Sequence, residues 1–274
     1  MSTTPLVLPD AAAVGRHVAE LVLDRLAAAP DDDRPFLLGC PSGRSAEPAY
    51  RTLPALVRER GDVDLSRLVV VMMDDYVVET ADGRLERVDP ALSYSCLGYA
   101  RREIHEPLVA AARAAGTPGP RELWIPDPSD PDAYDTRIAE AGGIDLFLLA
   151  SGASDGHIAL NQPGTPRTAR THVARLGDAT RQDNMGTFPE FVSLDLVPRL
   201  GITVGVGTIA DLSREVVMIV TGEHKRDTFR RLVAADAYDP QWPATVLTEC
   251  PRASMVADAA AASLPAQAAL PGAV

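Results

Sequence analysis

The 274-residue sequence predicts an α/β fold, a mostly parallel sheet with helices on both faces and a lid segment over one edge. Three observations carry this. Residues 68–73, 144–150 and 216–220 are almost unbroken apolar runs, the pattern of strands buried on both sides. Segments with helical periodicity lie between them. A hydrophobic content of 46% over this length is ample for one large core.

Taken in order, residues 11–29 place Val14, Val18, Leu21, Val22 and Leu26 on one helical face. Residues 36–38 read as a short buried strand. After the turn Pro41-Ser42-Gly43, Ser45 is the expected N-cap of a helix reaching Arg60, with Pro54 as a kink point. The strand at 68–73 ends on Asp74 and Asp75. Helices follow at 93–108 and 130–141 and strands at 123–125 and 144–150, the last interrupted only by Asp145. Strands at 201–206, 216–220 and 254–257, with a helix at 223–233, complete the alternation. Residues 163–198 hold several breakers and little periodicity, which predicts the lid. The expected organisation is one domain over 1–258 and an Ala- and Pro-rich, partly disordered tail over 259–274.

The formal charge of -12 argues against a nucleic-acid surface, so an anionic ligand needs a local positive site. Residues 1–10 lack a signal-like pattern and no run is long enough for a membrane span, so the expected location is the cytoplasm. Cys40, Cys96 and Cys250 lack metal or redox spacing and read as buried free thiols. Lys225 is the only lysine among 26 basic residues. Its place just after the strand at 216–220 favours anion binding.

Ligands of such sheets bind beyond the carboxyl ends of the strands. Three of these ends are unusually polar: 40–45, 74–76 and 151–162. Asp155-Gly156-His157 sets a carboxylate beside an imidazole, a pair suited to proton transfer near neutral pH. Alone, such a triplet is more often a surface turn with an incidental histidine. With Asp74 at a neighbouring strand end, the two could face one small molecule. The turn Pro41-Ser-Gly-Arg-Ser45 could offer backbone N–H groups and hydroxyls to a phosphate, although it is not a P-loop.

These residues resemble a family. Met73-Asp-Asp-Tyr-Val77 is similar to the M-D-E-Y-V stretch of glucosamine-6-phosphate deaminases, and Ser93-Tyr94 to the start of their S-Y-H or S-Y-Y segment. Asp155-Gly-His-Ile-Ala159 with Asn161 resembles D-G-H-I-A-F-N-E-P, Ile202-Thr-Val-Gly-Val-Gly-Thr208 resembles L-T-V-G-V-G-T, and Gly222-Glu-His-Lys225 resembles G-x-x-K. The matches are collinear from Phe36 to Asp258. The sequence is identified as a divergent member of the glucosamine-6-phosphate deaminase and 6-phosphogluconolactonase superfamily, nearer the deaminase branch.

The resemblance implies a modified Rossmann-like sheet and an aldose-to-ketose isomerisation coupled to loss of ammonia, a hydrolase acting on an amino sugar. It implies that Asp74 shuttles the proton between C2 and C1, and that His157 assisted by Asp155 opens the pyranose ring. Ser42, Gly43, Ser45 and Lys225 would hold the sugar phosphate, with Asp75 beside them. No metal or organic cofactor is implied, and the partner is a small sugar phosphate, with a homo-oligomer left open.

Departures from the pattern shape the expectation. The family's glutamate in N-E-P is Gln162, which is expected in the catalytic set with Asp74, Asp155 and His157 but cannot stabilise a cation by charge or accept a proton. Ser151 and Ala153 replace the glycines of the family's G-x-G. A lid arginine that binds phosphate in the deaminases corresponds to Gly186, leaving Arg44 and Arg181 as substitutes. The basic residues that bind the allosteric activator in bacterial deaminases align poorly with His172 and Ala174, so no such regulation is expected. These changes predict an altered substrate or a reduced reaction: isomerisation, epimerisation or deamination of a different amino-sugar phosphate. A lactonase using His157 to activate water is the second reading, and a non-catalytic sugar-phosphate sensor, which Gln162 would suit, the third.

Overall fold

The computed structural model describes residues 4–30 and 32–263. In chain order these form β1 (Leu6–Leu8), α1 (Ala11–Ala27), β2 (Phe36–Cys40), α2 (Glu47–Arg60), β3 (Leu68–Met72), β4 (Asp74–Glu79) and β5 (Leu85–Arg87). There follow α3 (Cys96–Tyr99), α4 (Glu106–Ala115), β6 (Glu122–Trp124), α5 (Pro131–Glu140) and β7 (Leu146–Leu149). The last part contains β8 (His172–Arg175), α6 (Asp178–Met185), β9 (Leu200–Thr203), α7 (Val206–Leu212), β10 (Val216–Val220), α8 (Arg226–Ala234), β11 (Ala253–Asp258) and α9 (Ala259–Ala262).

Seven strands form one sheet in the order β1-β11-β10-β7-β2-β3-β6, with every neighbouring pair parallel. The unbroken apolar runs have a simple cause: alternate side chains of each strand enter different cores. Leu68, Val70 and Met72 of β3 join α1, α2 and α4 on one face, while Val69 and Val71 point to the other. Phe147 and Leu149 of β7 and Val216, Met218 and Val220 of β10 share that second face with α7 and Trp242. Asp145 at the foot of β7 is held by Arg34, whose two guanidinium nitrogens lie 3.0 and 2.5 Å from its oxygens.

A second sheet was not foreseen. Strands β5-β4-β9-β8 form a four-stranded antiparallel sheet, in which Asp74 pairs with Thr203 and Thr203 with His172. The strand expected at 201–206 therefore belongs here and stops at Thr203, after which the chain turns into α7. Part of the predicted lid, β8, is built into this sheet, and Phe188 and Phe191 from the same segment stack with Tyr76 and Tyr94.

Local corrections have local reasons. Ala46, not Ser45, is the N-cap of α2 and makes no side-chain cap bond, and the helix continues through Pro54. The helix expected at 93–108 starts at the Ser95 cap and runs to Ala115, but widens to a π-helical turn over Ala100–His105. Pro107 has no N–H to give and its ring crowds the carbonyl one turn back, so a wider turn places it in the first turn of α4 instead. Cys40, Cys96 and Cys250 are buried free thiols. Residues 259–262 of the expected tail are helical, capped by Asp258, whereas 264–274 lie outside the described residues. No helix among the described residues is long and apolar enough to cross a membrane.

Candidate active site

A cleft of roughly 450 Å³ opens at the carboxyl ends of β2, β3, β7 and β10. Its floor is the junction between the two sheets. There β3 ends, Met73 crosses, and β4 begins with Asp74. Asp74 is buried, and its Oδ1 has no hydrogen-bond partner. Burial pushes its carboxyl up to about 7; the adjacent Asp75 adds to the rise, while hydrogen bonding with Cys96 and Ser42 and the nearby His157 oppose it. A carboxyl poised near neutrality in a cleft can both take and return a proton.

Strand alternation turns Asp75 the other way. Its Oδ1 accepts from the backbone N–H groups of Tyr76 at 2.9 Å and Cys96 at 2.8 Å, and its Oδ2 from Leu97 N–H at 3.3 Å. Asp75 thus anchors the start of α3 and does not line the cleft, which corrects its expected role in substrate binding. The anchor has a use. It fixes Cys96 so that its Sγ lies 3.1 Å from Ser42 Oγ, at the edge of the Asp74 site.

The wall after β7 carries the Asp155–His157 pair. Asp155 Oδ1 lies 2.6 Å from His157 Nδ1, and Gly152 N–H donates to the His157 carbonyl at 2.8 Å. The imidazole sits so close to Gly152 that a Cβ there would lie 2.2 Å from Nδ1. Gly156 turns the chain at φ 67° against the Trp242 ring, where a Cβ would lie 2.2 Å from ring atoms. Of the expected G-x-G pair, the position between is the one this chain keeps as glycine. Burial would raise the Asp155 carboxyl, but the bonds from His157 and Thr180 outweigh it and hold the group down at about 2. Asp155 is therefore an anion that engages Nδ1–H and leaves Nε2 of His157 as the nitrogen available for chemistry.

Positive charge gathers at the far end. Ser42, Gly43, Arg44 and Ser45 line the cleft before α2, with Tyr50 Oη donating to the Pro41 carbonyl at 2.9 Å to pin the turn. Lys225 and His224 face them from the start of the helix after β10. Lys225 Nζ donates to the Ser151 carbonyl. Burial lowers the Lys225 ammonium to about 8, with Arg44 pushing the same way and Asp183 and Asp155 opposing.

Two expected residues lie elsewhere. Arg181 is buried inside the lid, where its guanidinium bonds Asp178 at 2.9 Å and the carbonyls of Leu194 and Val197, so it does not line the cleft as its expected substrate-binding role requires. Gln162 does not touch the cleft; its amide binds Leu160, Gly177 and Thr180. Conversely, α6 brings Asp183 and Asn184 into the cleft, and Thr180 of the same helix meets Asp155, none of which the sequence singled out. The only available signal was their nearness to Arg181 in the lid segment.

Asp155, His157 and Asp183 each offer a ligand atom within 4.8 Å of the others. These groups are already engaged, Asp155 with His157 at 2.6 Å and Asp183 with Ser154 Oγ at 2.8 Å. Hydrogen bonding accounts for the cluster.

The model of the family described as glucosamine-6-phosphate isomerases/6-phosphogluconolactonase matches residues 9–256. This chain belongs to that family. Its relatives include a glucosamine-6-phosphate deaminase of Streptomyces coelicolor, 36% identical over 94% of this chain and 91% of its own. One of Shouchella clausii is 30% identical over 92% and 93%. Among solved structures, a monomeric glucosamine-6-phosphate deaminase superposes with a TM-score of 0.78 at 23% identity, over 96% of this chain and all of that one. A 6-phosphogluconolactonase of Leishmania guyanensis superposes at 0.64 and 14% identity, over 94% and 97%. Both branches of the family share this fold.

Proposed function

We propose that this protein isomerises an amino-sugar phosphate of the glucosamine-6-phosphate type to the ketose phosphate and releases ammonia. The observation that carries the reading is Asp74, a buried carboxyl with one oxygen unpartnered and a pKa raised to about 7, in the same cleft as the Asp155–His157 pair. Lactone hydrolysis needs an activated water and no second carboxyl of this kind. The identity to deaminases along nearly the whole chain supports the same branch.

The residues divide the work by position. The turn 42–45 and Lys225 hold the phosphate, with Arg44 adding charge and His224 lining the same end of the cleft. His157 Nε2 exchanges the proton that opens the sugar ring, and Asp155 stabilises the imidazolium that forms. Ionised Asp74 then takes the proton from C2 and returns it to C1. The resulting C2 imine adds water, its C–N bond breaks, and ammonia leaves with the ketose. Water supplies the new carbonyl oxygen, so this step is hydrolytic.

Gln162 prompted the sensor reading, yet its amide is committed to the scaffold away from the cleft. Its neutrality therefore says nothing against catalysis. The test is ammonia and ketose formation from glucosamine-6-phosphate, run beside 6-phosphogluconolactone with the parent and Asp74→Asn proteins. Ammonia release lost in the variant is expected; lactone hydrolysis indifferent to Asp74 would overturn the proposal.

A further inference from the structure

We infer that Thr180 is a positioning residue for the reaction proposed above, and that with Gln162 it latches the cleft-facing helix α6 to the Asp155–His157 pair. The inference rests on that reading of the reaction but on separate observations. Thr180 is fully buried. Its Oγ1 lies 2.9 Å from Asp155 Oδ2, 3.2 Å from His157 Nδ1 and 3.0 Å from Gln162 Oε1. One hydroxyl of α6 thus meets both members of the pair.

The polarity of this junction is determined by its outer contacts. Gln162 Nε2 donates to the Leu160 carbonyl at 3.1 Å, and its Oε1 accepts from Gly177 N–H at 3.0 Å. Turning the amide over would set N–H against N–H and carbonyl against carbonyl, so Oε1 must face Thr180. Gly177 immediately precedes α6, and a Cβ there would lie 2.9 Å from Oε1, so the approach also uses the absence of a side chain. The Thr180 hydroxyl has one proton for two acceptors. The ionised Asp155 attracts it more strongly than the amide oxygen, which keeps its Gly177 donor. Asp155 is then held at both oxygens, Oδ2 by Thr180 and Oδ1 by His157, and the imidazole plane is set from behind.

Two consequences follow. Helix α6 carries Asp183 and Asn184 into the cleft, so the substrate-facing part of the lid and the acid–base pair are tied at one point. A carboxylate at position 162 would lose the donor to Leu160, place an oxygen against that carbonyl, and bring a second anion within one hydroxyl of Asp155. In this chain an amide suits the latch and a carboxylate opposes it.

The test compares the full-length parent with Thr180→Val, Thr180→Ser and Gln162→Glu. Two readouts are taken: kcat and KM for ammonia release from glucosamine-6-phosphate, and backbone hydrogen exchange of residues 177–185. Thr180→Val is expected to lower kcat by roughly 10- to 100-fold, the scale of a misplaced catalytic group, with KM little changed and exchange accelerated. Thr180→Ser keeps the hydroxyl and should restore both readouts, while Gln162→Glu should accelerate exchange and lower kcat. Parent-like kcat and exchange in Thr180→Val, a serine variant no better than valine, or a Gln162→Glu protein that exchanges more slowly and turns over faster would each overturn the latch. If the parent releases no ammonia, the proposed reaction fails, and the exchange comparison still decides whether the latch exists.

Discussion

Asp74→Asn should abolish turnover and stabilise the protein above neutral pH. The parent carboxyl ordinarily titrates at 3.8 and is raised to about 7 by burial. Holding it ionised in the folded state therefore costs about 4 kcal/mol, at about 1.36 kcal/mol for each pH unit between those values. The folded state binds this proton more tightly than the unfolded state, so the parent loses stability as pH rises from about 4 to about 7. Asparagine is neutral throughout and avoids that loss. An imperfectly paired buried amide takes back about 1–2 kcal/mol, leaving a gain of about 2–3 kcal/mol at pH 8. For a chain of this size that raises Tm by roughly 4–10 °C. Thermal denaturation of both proteins at pH 5, 6, 7 and 8 reads the effect. The Tm difference should widen with pH while ammonia release falls by at least about 100-fold. A difference that does not vary with pH, or a variant less stable than the parent at pH 8, would refute the reasoning that burial of this carboxyl strains the fold.

Two further outcomes follow from the charges in the cleft. The kcat/KM profile should be a narrow bell, rising through about pH 7 as Asp74 ionises and falling above about pH 8 as Lys225 loses its proton. Activity undiminished to pH 9.5 would exclude Lys225 from phosphate binding. Asp183 sets a carboxylate beside the cations of Lys225 and Arg44, so Asp183→Asn should lower KM for a sugar phosphate by roughly 3- to 10-fold. Steady-state kinetics at low ionic strength would detect this, and a raised KM would show that Asp183 binds the sugar instead.

Much of the molecule was legible in the sequence because the signals were local. Strands β3, β7 and β10 declared themselves as apolar runs, since each is covered on both faces. Asp74, His157 and Lys225 were found by their chemistry and their places after strands, and the fold brings all three into one cleft. The antiparallel sheet was not legible, because Asp74 pairs with Thr203 from a distant part of the chain and neither β4 nor β9 carries the unbroken apolar run of the central strands. Adjacent residues also diverged: Asp74 enters the cleft while Asp75 caps a helix, a distinction of facing that composition cannot carry.

What the sequence by itself determined was the class of fold, the family and the chemical types at the strand ends, because periodicity and residue type are properties of short segments. Only the tertiary structure decided that Arg181 braces the lid, that Gln162 belongs to the scaffold and that Thr180 joins the acid–base pair. Those roles depend on which groups from distant segments meet, and a buried polar atom takes its function from the partners that satisfy it.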